Sequence, residues 1–152
     1  FAASEDSKDR SVINPIEAII KIKNDVHFRN HKIELEVLND EAATVNENVF
    51  VRSITNILNN AIDKAGKIII KAEVNSKMIK INIHDNGPGI DDEEKANVFK
   101  PFYRIDKSRN QNKTNSGLGL ATTKSLLGSI NGKISLHDSY LGGLEVAIVI
   151  QN

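Results

Sequence analysis

Asp85 ends an alternating strand and is followed at once by a turn with few side chains, in the stretch HDNGPGI. Because side chains alternate along a strand, Ile81, Ile83 and Asp85 are expected to share its inward face. A carboxylate in that place is costly to bury unless donors reach it. One interpretation is that Asp85 caps the turn through backbone amides. The other is that it accepts from an exocyclic amine such as that of adenine, while Gly87 and Gly89 let a flat ring approach the backbone.

Asn56 and Asn60 are four residues apart on a predicted helix, so they share one side of it, beside the apolar stripe. Asparagine is a poor helix former, and two of them near the core boundary need an explanation. They could form an exposed polar stripe, as Asn59 is expected to do. Alternatively, the Asn60 carbonyl oxygen is a hard neutral ligand for Mg²⁺, which binds few protein oxygens together with substrate phosphates.

A second glycine-rich stretch, SGLGL at residues 116–120, opens another predicted helix. Bare amides at a helix N-terminus form an anion site, although many helix starts carry a glycine without function. Thr122 stands where a dinucleotide fingerprint has its third glycine, and the sequence contains no P-loop motif. The preceding loop supplies four cations that are either solvated one by one or cover a polyphosphate together: Arg104, Lys107, Arg109 and Lys113.

The four histidines, which are His27, His31, His84 and His137, have no spacing typical of a metal site and no nearby nucleophile. His84 points to the opposite side of its strand from Asp85 and is expected to be exposed. The sequence assigns no role to any of them.

Hydrophobic periodicity predicts the elements that hold these residues. Asn14 is expected to cap the first helix, with Pro15 at its first position. The predicted helices cover residues 14–30, 46–64, 91–98 and 118–130, and the predicted strands cover 33–37, 68–74, 79–83, 133–137 and 144–150. The predicted fold class is α+β, a two-layer α/β sandwich with a mixed, mostly antiparallel sheet and three main helices on one face.

The composition is that of an ordinary globular domain. A chain of 152 residues suits one core, and 20 basic residues balance 20 acidic ones, so no global field favours nucleic acid or an anionic membrane. There are no cysteines, which excludes disulfides and zinc-thiolate sites. No apolar run approaches the ~20 residues needed to span a bilayer.

The order and spacing of these motifs are more specific than any one of them. The helix carrying Asn56 and Asn60, the DNGPGI turn, FKPF at residues 99–102 and GLGL at residues 117–120 resemble the N, G1, F and G2 boxes of sensor histidine kinases. The similarity is to their catalytic and ATP-binding domain, whose Bergerat-type fold is shared with DNA gyrase and MutL. It covers roughly residues 14–150.

The resemblance implies a catalytic ATP-binding domain over residues 13–152, with a lid at about 103–116. Residues 1–12 would be a linker or the end of a preceding dimerisation segment. The chain begins with Phe1 and its single methionine is Met78, so we expect it to be a cytoplasmic piece of a longer protein, which could itself be membrane-anchored.

Carried over by position, the resemblance implies a catalytic centre of Asn56 and Asn60, with Asn60 as the Mg²⁺ ligand and Asp85 as the acceptor of the adenine amine. ATP and Mg²⁺ are therefore the expected cofactors, and Phe99 and Phe102 would anchor the lid. The other nucleotide-binding residues that it implies are Gly87, Gly89 and Ile90 around the base, Tyr103, Arg104, Lys107 and Arg109 at the lid, and Gly117, Leu118, Gly119 and Leu120 at the phosphate end.

Three departures from the family pattern accompany this resemblance. Asp63 and Lys64 stand where the family often has lysine and tyrosine, which puts nucleotide contacts from there in doubt. Asn115 replaces the first G2 glycine and would stiffen the lid. Thr122 and Thr123 occupy positions that are usually aliphatic.

The resemblance implies partners as well as ligands. ATP or ADP would bind this chain, which is expected to be monomeric. The phosphoryl acceptor would be a histidine on the dimerisation domain of the same parent protein. A response regulator would be a further partner, and no nucleic-acid partner is expected. Alternatives are a Bergerat-type ATPase, an anti-sigma-factor-like serine kinase or a degenerate nucleotide-binding module. Asn56 argues against the first two, because a carboxylate that activates water is usual there.

Overall fold

The computed structural model describes residues 11–103 and 119–151. Within these ranges the chain folds into a five-stranded sheet covered by helices, with a separate two-stranded pair. In chain order the elements are β1 (Ser11–Ile13), α1 (Pro15–Asn24), β2 (Lys32–Asp40), β3 (Ala43–Val45), α2 (Glu47–Ile62), β4 (Lys67–Val74), β5 (Met78–Asp85), α3 (Asp92–Asn97), α4 (Gly119–Gly128), β6 (Gly132–Asp138) and β7 (Leu144–Gln151).

The main sheet has the strand order β2-β4-β5-β7-β6, and β1 pairs with β3. The β2–β4 pair is parallel and the other three pairs of this sheet are antiparallel. Its inward side chains form one apolar core with α1, α2 and α4, which includes Ile19, Phe50, Ile81, Leu127 and Ile148. The predicted α+β sandwich with a mixed, mostly antiparallel sheet is confirmed.

The helix starts follow the local signals in the sequence. The Asn14 side chain accepts from the Glu17 amide at 3.0 Å, and Pro15 is the first helical residue. Asn46 caps α2 in the same way through the Val49 amide. Within the described ranges no helix is long and apolar enough to cross a bilayer.

The predicted extent of the first helix is wrong. The helix ends at Asn24 rather than near residue 30, because Asp25 adopts an extended conformation and its side chain accepts from the His27 amide at 3.0 Å. The predicted strand at 33–37 is longer, from Lys32 to Asp40, with an irregularity between Val37 and Asn39. The short strands β1 and β3 were not predicted.

Several predicted site residues lie outside the described ranges. They are Arg104, Lys107, Arg109, Lys113, Asn115, Ser116, Gly117 and Leu118, together with most of the lid predicted at 103–116. Their roles remain predictions.

Candidate functional site

Asp85 closes β5 with its side chain on the buried face of the sheet, where it is 8% exposed. Its Oδ1 accepts from the Gly87 amide at 2.9 Å and from the Leu144 amide at 3.1 Å. The backbone-capping interpretation is therefore correct for this oxygen. Among the described residues neither bond goes to Oδ2, so the second carboxylate oxygen keeps its accepting capacity.

Gly143 packs against Asp85 more tightly than any side chain would allow. A Cβ at this position would come within 2.6 Å of the Asp85 carbonyl oxygen and 2.7 Å of the Gly87 nitrogen, and closer still to Asp85 Oδ1. The Gly143 amide also donates to the Asp85 carbonyl at 3.2 Å. The sequence analysis missed this residue, since a Gly-Gly pair between two strands indicates a hairpin turn and nothing more.

The two glycines of the DNGPGI turn are required for different reasons, packing at Gly87 and backbone conformation at Gly89. A Cβ on Gly87 would lie 2.9 Å from the Lys64 carbonyl oxygen. Gly89 has a φ of +74°, which favours glycine, and lies beside Gly143.

Asn86 connects the turn to the start of β4, because its Oδ1 accepts from the Gly66 and Lys67 amides, both at 2.9 Å. The backbone of the turn is therefore left without side chains at Gly87 and Gly89, where glycine is required.

Asn60 and Gly119 meet where α2 passes the first turn of α4. A Cβ on Gly119 would lie 3.0 Å from Asn60 Nδ2 and 3.3 Å from its Oδ1. The partly buried Asn60 amide therefore stands beside the amino-terminal end of α4, with Asn56 one turn earlier and also partly buried. Leu120 packs against the core from the same turn.

Thr123 now has a structural explanation. Its side chain is fully buried and its hydroxyl donates to the Gly119 carbonyl at 2.7 Å, so the polar group is satisfied within the helix. Nothing in the structure explains Thr122. Asn59 was expected to be an exposed polar residue, but it is partly buried, and its Oδ1 lies 2.7 Å from His27 Nε2.

The residues that lead into the predicted lid differ from one another in packing. Phe99 and Tyr103 pack against the core, and the Tyr103 hydroxyl donates to Glu94. Phe102 is 73% exposed and has a φ of +64°. Phe102 is therefore not part of the core, and its role as an anchor of the lid stays a prediction, because most of the lid lies outside the described residues. Ile90 is partly buried against the core at the end of the DNGPGI turn.

His84 was expected to be exposed, and this prediction is wrong. It is 6% exposed, because the turn between β6 and β7 folds over it. Its Nδ1 lies 2.8 Å from Ser139 Oγ, and the Tyr140 ring meets it edge to face at 4.9 Å between centroids. Burial lowers the pKa of His84; Glu145 opposes this shift and Lys71 adds to it.

The stability of the fold should depend on His84 at mildly acidic pH. The folded state keeps His84 neutral below its ordinary pKa of about 6.5, whereas the unfolded chain binds a proton there. Stability is therefore expected to fall as the pH drops below about 6.5, by up to ~1.4 kcal/mol per pH unit for one proton. Urea unfolding at pH 7.5 and 5.5 measures this loss. His84→Gln should lose less stability between these two pH values than wild type does. His31→Gln, which changes an exposed histidine, should lose as much as wild type. An equal loss in wild type and both variants would contradict the assignment.

Comparison with known proteins shows similarity over most of the chain. Residues 45–152 match the family described as histidine kinase-, DNA gyrase B- and HSP90-like ATPase. The sensor histidine kinase CpxA of Escherichia coli strain K12 is 35% identical over 104 residues, which are 68% of this chain and 23% of that protein. The phosphate regulon sensor protein PhoR of Haemophilus influenzae is 32% identical over 124 residues, 80% of this chain and 29% of that protein. The chain thus spans about a quarter of the length of these relatives.

Solved structures have the same fold. The catalytic domain of histidine kinase ThkA aligns with a TM-score of 0.79 and 22% identity, over 93% of this chain and 95% of that chain. Full-length ShkA in complex with AMPPNP aligns with a TM-score of 0.71 and 17% identity, over 92% of this chain and 31% of that chain.

Proposed function

The chain belongs to the histidine kinase-, DNA gyrase B- and HSP90-like ATPase family, as an ATP-binding catalytic domain of the sensor histidine kinase type, and from this premise we propose how it works. It binds Mg-ATP and presents the γ-phosphate to a histidine on a separate dimerisation domain of its parent protein. The phosphoryl group then passes to a response regulator. The parent is a protein histidine kinase.

The Asp85 carboxylate carries this proposal. One of its oxygens is held by two backbone amides, from Gly87 and Leu144, so the orientation of the side chain is fixed before any ligand binds. The other oxygen has no bond among the described residues and would accept the adenine amine. Gly89 and Ile90 end the turn beside it and would lie along the base. Such preorganisation reduces the entropy lost on binding.

The phosphate end of the nucleotide would lie at the first turn of α4. The amides of Gly119 and Leu120 are at the amino-terminal end of a ten-residue helix, where anions are favoured. Asn60 stands beside Gly119 and offers one neutral oxygen, which fits Mg²⁺ shared with phosphate oxygens. When bound, the metal would neutralise charge on the phosphates. The family resemblance alone supports the other nucleotide contacts, which are those from Tyr103, from the lid cations and from the Gly117 and Leu118 amides.

The chain contributes positioning rather than a base. Phosphoryl transfer needs an in-line nucleophile and charge neutralisation, and a neutral imidazole supplies the nucleophile near pH 7. Asn56 cannot accept a proton from water, so hydrolysis by this chain would be slow. This residue favours a kinase domain over a Bergerat-type ATPase.

Titration of the chain with ADP tests the proposal. We expect the wild-type protein to bind ADP more tightly in Mg²⁺ than in EDTA, and Asn60→Ala to lose roughly tenfold in affinity in Mg²⁺ but little in EDTA. Asn59→Ala is the matched control, because its side chain contacts His27 instead. A magnesium effect of equal size in Asn60→Ala would contradict the assigned metal ligand.

The same protein with γ-labelled ATP separates the rival functions. The proposed kinase domain alone should neither retain label nor release phosphate above background, because its acceptor histidine is proposed to lie on another domain and Asn56 cannot act as a base. Rapid phosphate release would instead indicate an ATPase. No nucleotide binding at all would indicate a degenerate module.

A further inference from the structure

Lys95 is a partly buried cation that joins three segments of the chain. It lies on α3 and its side chain is 14% exposed. Its Nζ donates to the Ile90 carbonyl at 3.0 Å, to Asp138 Oδ1 at 2.9 Å and to Asp92 Oδ1. These three acceptors match the three N–H groups of a lysine ammonium. The group therefore connects the end of the DNGPGI turn, the start of α3 and the end of β6.

Helix α3 has little apolar packing of its own to hold it. It is six residues long, none of them is buried, and its N-cap residue Asp91 makes no side-chain capping bond. Polar contacts therefore matter more for α3 than for the other helices. Lys95 supplies such contacts on one side, and the Glu94–Tyr103 hydrogen bond supplies another.

Both ends of the Lys95 bridge lead to residues that contact Asp85 or Gly143. Asp138 is followed by the turn of residues 139–143, in which the Ser139 amide donates to the Gly143 carbonyl at 2.8 Å. Gly143 in turn donates to the Asp85 backbone. At the other end of the bridge, Ile90 follows Gly89, which lies against the same Gly143. Lys95 therefore connects the end of the DNGPGI turn to the β6–β7 hairpin.

We propose that Lys95 is a positioning residue for the purine, because it joins the DNGPGI turn to the β6–β7 hairpin, and both of these segments donate to the Asp85 carboxylate. The inference rests on the proposed function, and Lys95 itself does not touch the nucleotide. A lysine is charged near neutral pH, and hydrogen bonds to Asp92 and Asp138 raise the pKa of Lys95 further.

The test is ADP affinity in Lys95→Met, which keeps the apolar stem and removes the three donors. We expect the dissociation constant in Mg²⁺ to rise roughly tenfold at a temperature where the variant is folded. The backbone amide resonances of Gly87 and Gly89 should shift in the ligand-free protein. Lys77→Met is the control, because Lys77 is an exposed lysine in the turn between β4 and β5, and it should bind like wild type.

Asp138→Asn provides a second variant if Lys95→Met does not fold. It weakens the same bridge and should raise the dissociation constant by about threefold. The double variant should bind no more weakly than Lys95→Met alone, because both changes remove one interaction. A dissociation constant within twofold of wild type in Lys95→Met, or weaker binding with unshifted Gly87 and Gly89 resonances, would overturn the inference. A wild-type chain that binds no ADP would overturn the proposed function itself, a different and separable result.

Discussion

Replacing Asp85 with asparagine is expected to weaken ADP binding by roughly tenfold to a hundredfold while the fold stays intact. A hydrogen bond to a charged group contributes about 1.5–3 kcal/mol, which corresponds to that range of affinity. Asparagine keeps a carbonyl oxygen that can accept from the Gly87 and Leu144 amides, so the turn retains its local support. It replaces Oδ2 with an amide donor, which cannot accept the adenine amine.

Calorimetric titration with ADP measures the effect, with Asp91→Asn as the control for the change from acid to amide. Asp91 is exposed and its side chain makes no capping bond. Inosine diphosphate, which has a carbonyl in place of the amine, gives the complementary comparison. Wild type should prefer ADP, and Asp85→Asn should lose that preference. If Asp85→Asn discriminated as well as wild type, another residue would have to recognise the base.

The second large effect is expected from Gly143→Ala, which should destabilise the protein by about 2 kcal/mol or more and lower ADP affinity at least tenfold. The added methyl group would overlap the backbone of Asp85 and Gly87 at under 3 Å. Backbone atoms cannot move aside as a flexible side chain can. The hairpin would have to shift, and with it the Leu144 amide that holds the Asp85 carboxylate.

Urea unfolding measures the loss of stability, and ADP titration at a temperature where the variant is folded measures the loss of affinity. Gly66→Ala is the matched control, because a Cβ there would meet nothing within 4 Å. Equal stability and affinity in the two variants would show that the hairpin has more room than the structure indicates.

Elements with strong local signals could be predicted from the sequence. The caps at Asn14 and Pro15 start α1 where expected, and the alternation of Ile79 and Ile81 with polar residues marks β5 as a strand with one buried face. The inward orientation of Asp85 followed from the same alternation. These features depend on residues close together in the chain, so their spacing carries the information.

Features that depend on distant contacts were missed. His84 is buried by a turn more than 50 residues further along, where Ser139 meets its ring. The contacts of Gly143 with Asp85 and of Lys95 with Asp138 also join residues far apart in the chain, and no local pattern reveals them. The end of α1 was misplaced for another reason. Helical periodicity was still weakly satisfied beyond Asn24, but the Asp25 side chain accepts a hydrogen bond from the His27 amide, and the helix ends there.

A structure of the chain with ADP and Mg²⁺ tests the central claim most directly. We predict that the adenine amine lies within hydrogen-bond distance of Asp85 Oδ2, with the ring beside the backbone of the glycine turn and the phosphates at the first turn of α4. An ADP molecule bound elsewhere, or an adenine whose amine is recognised by another group while Asp85 stays directed at the backbone alone, would contradict the account.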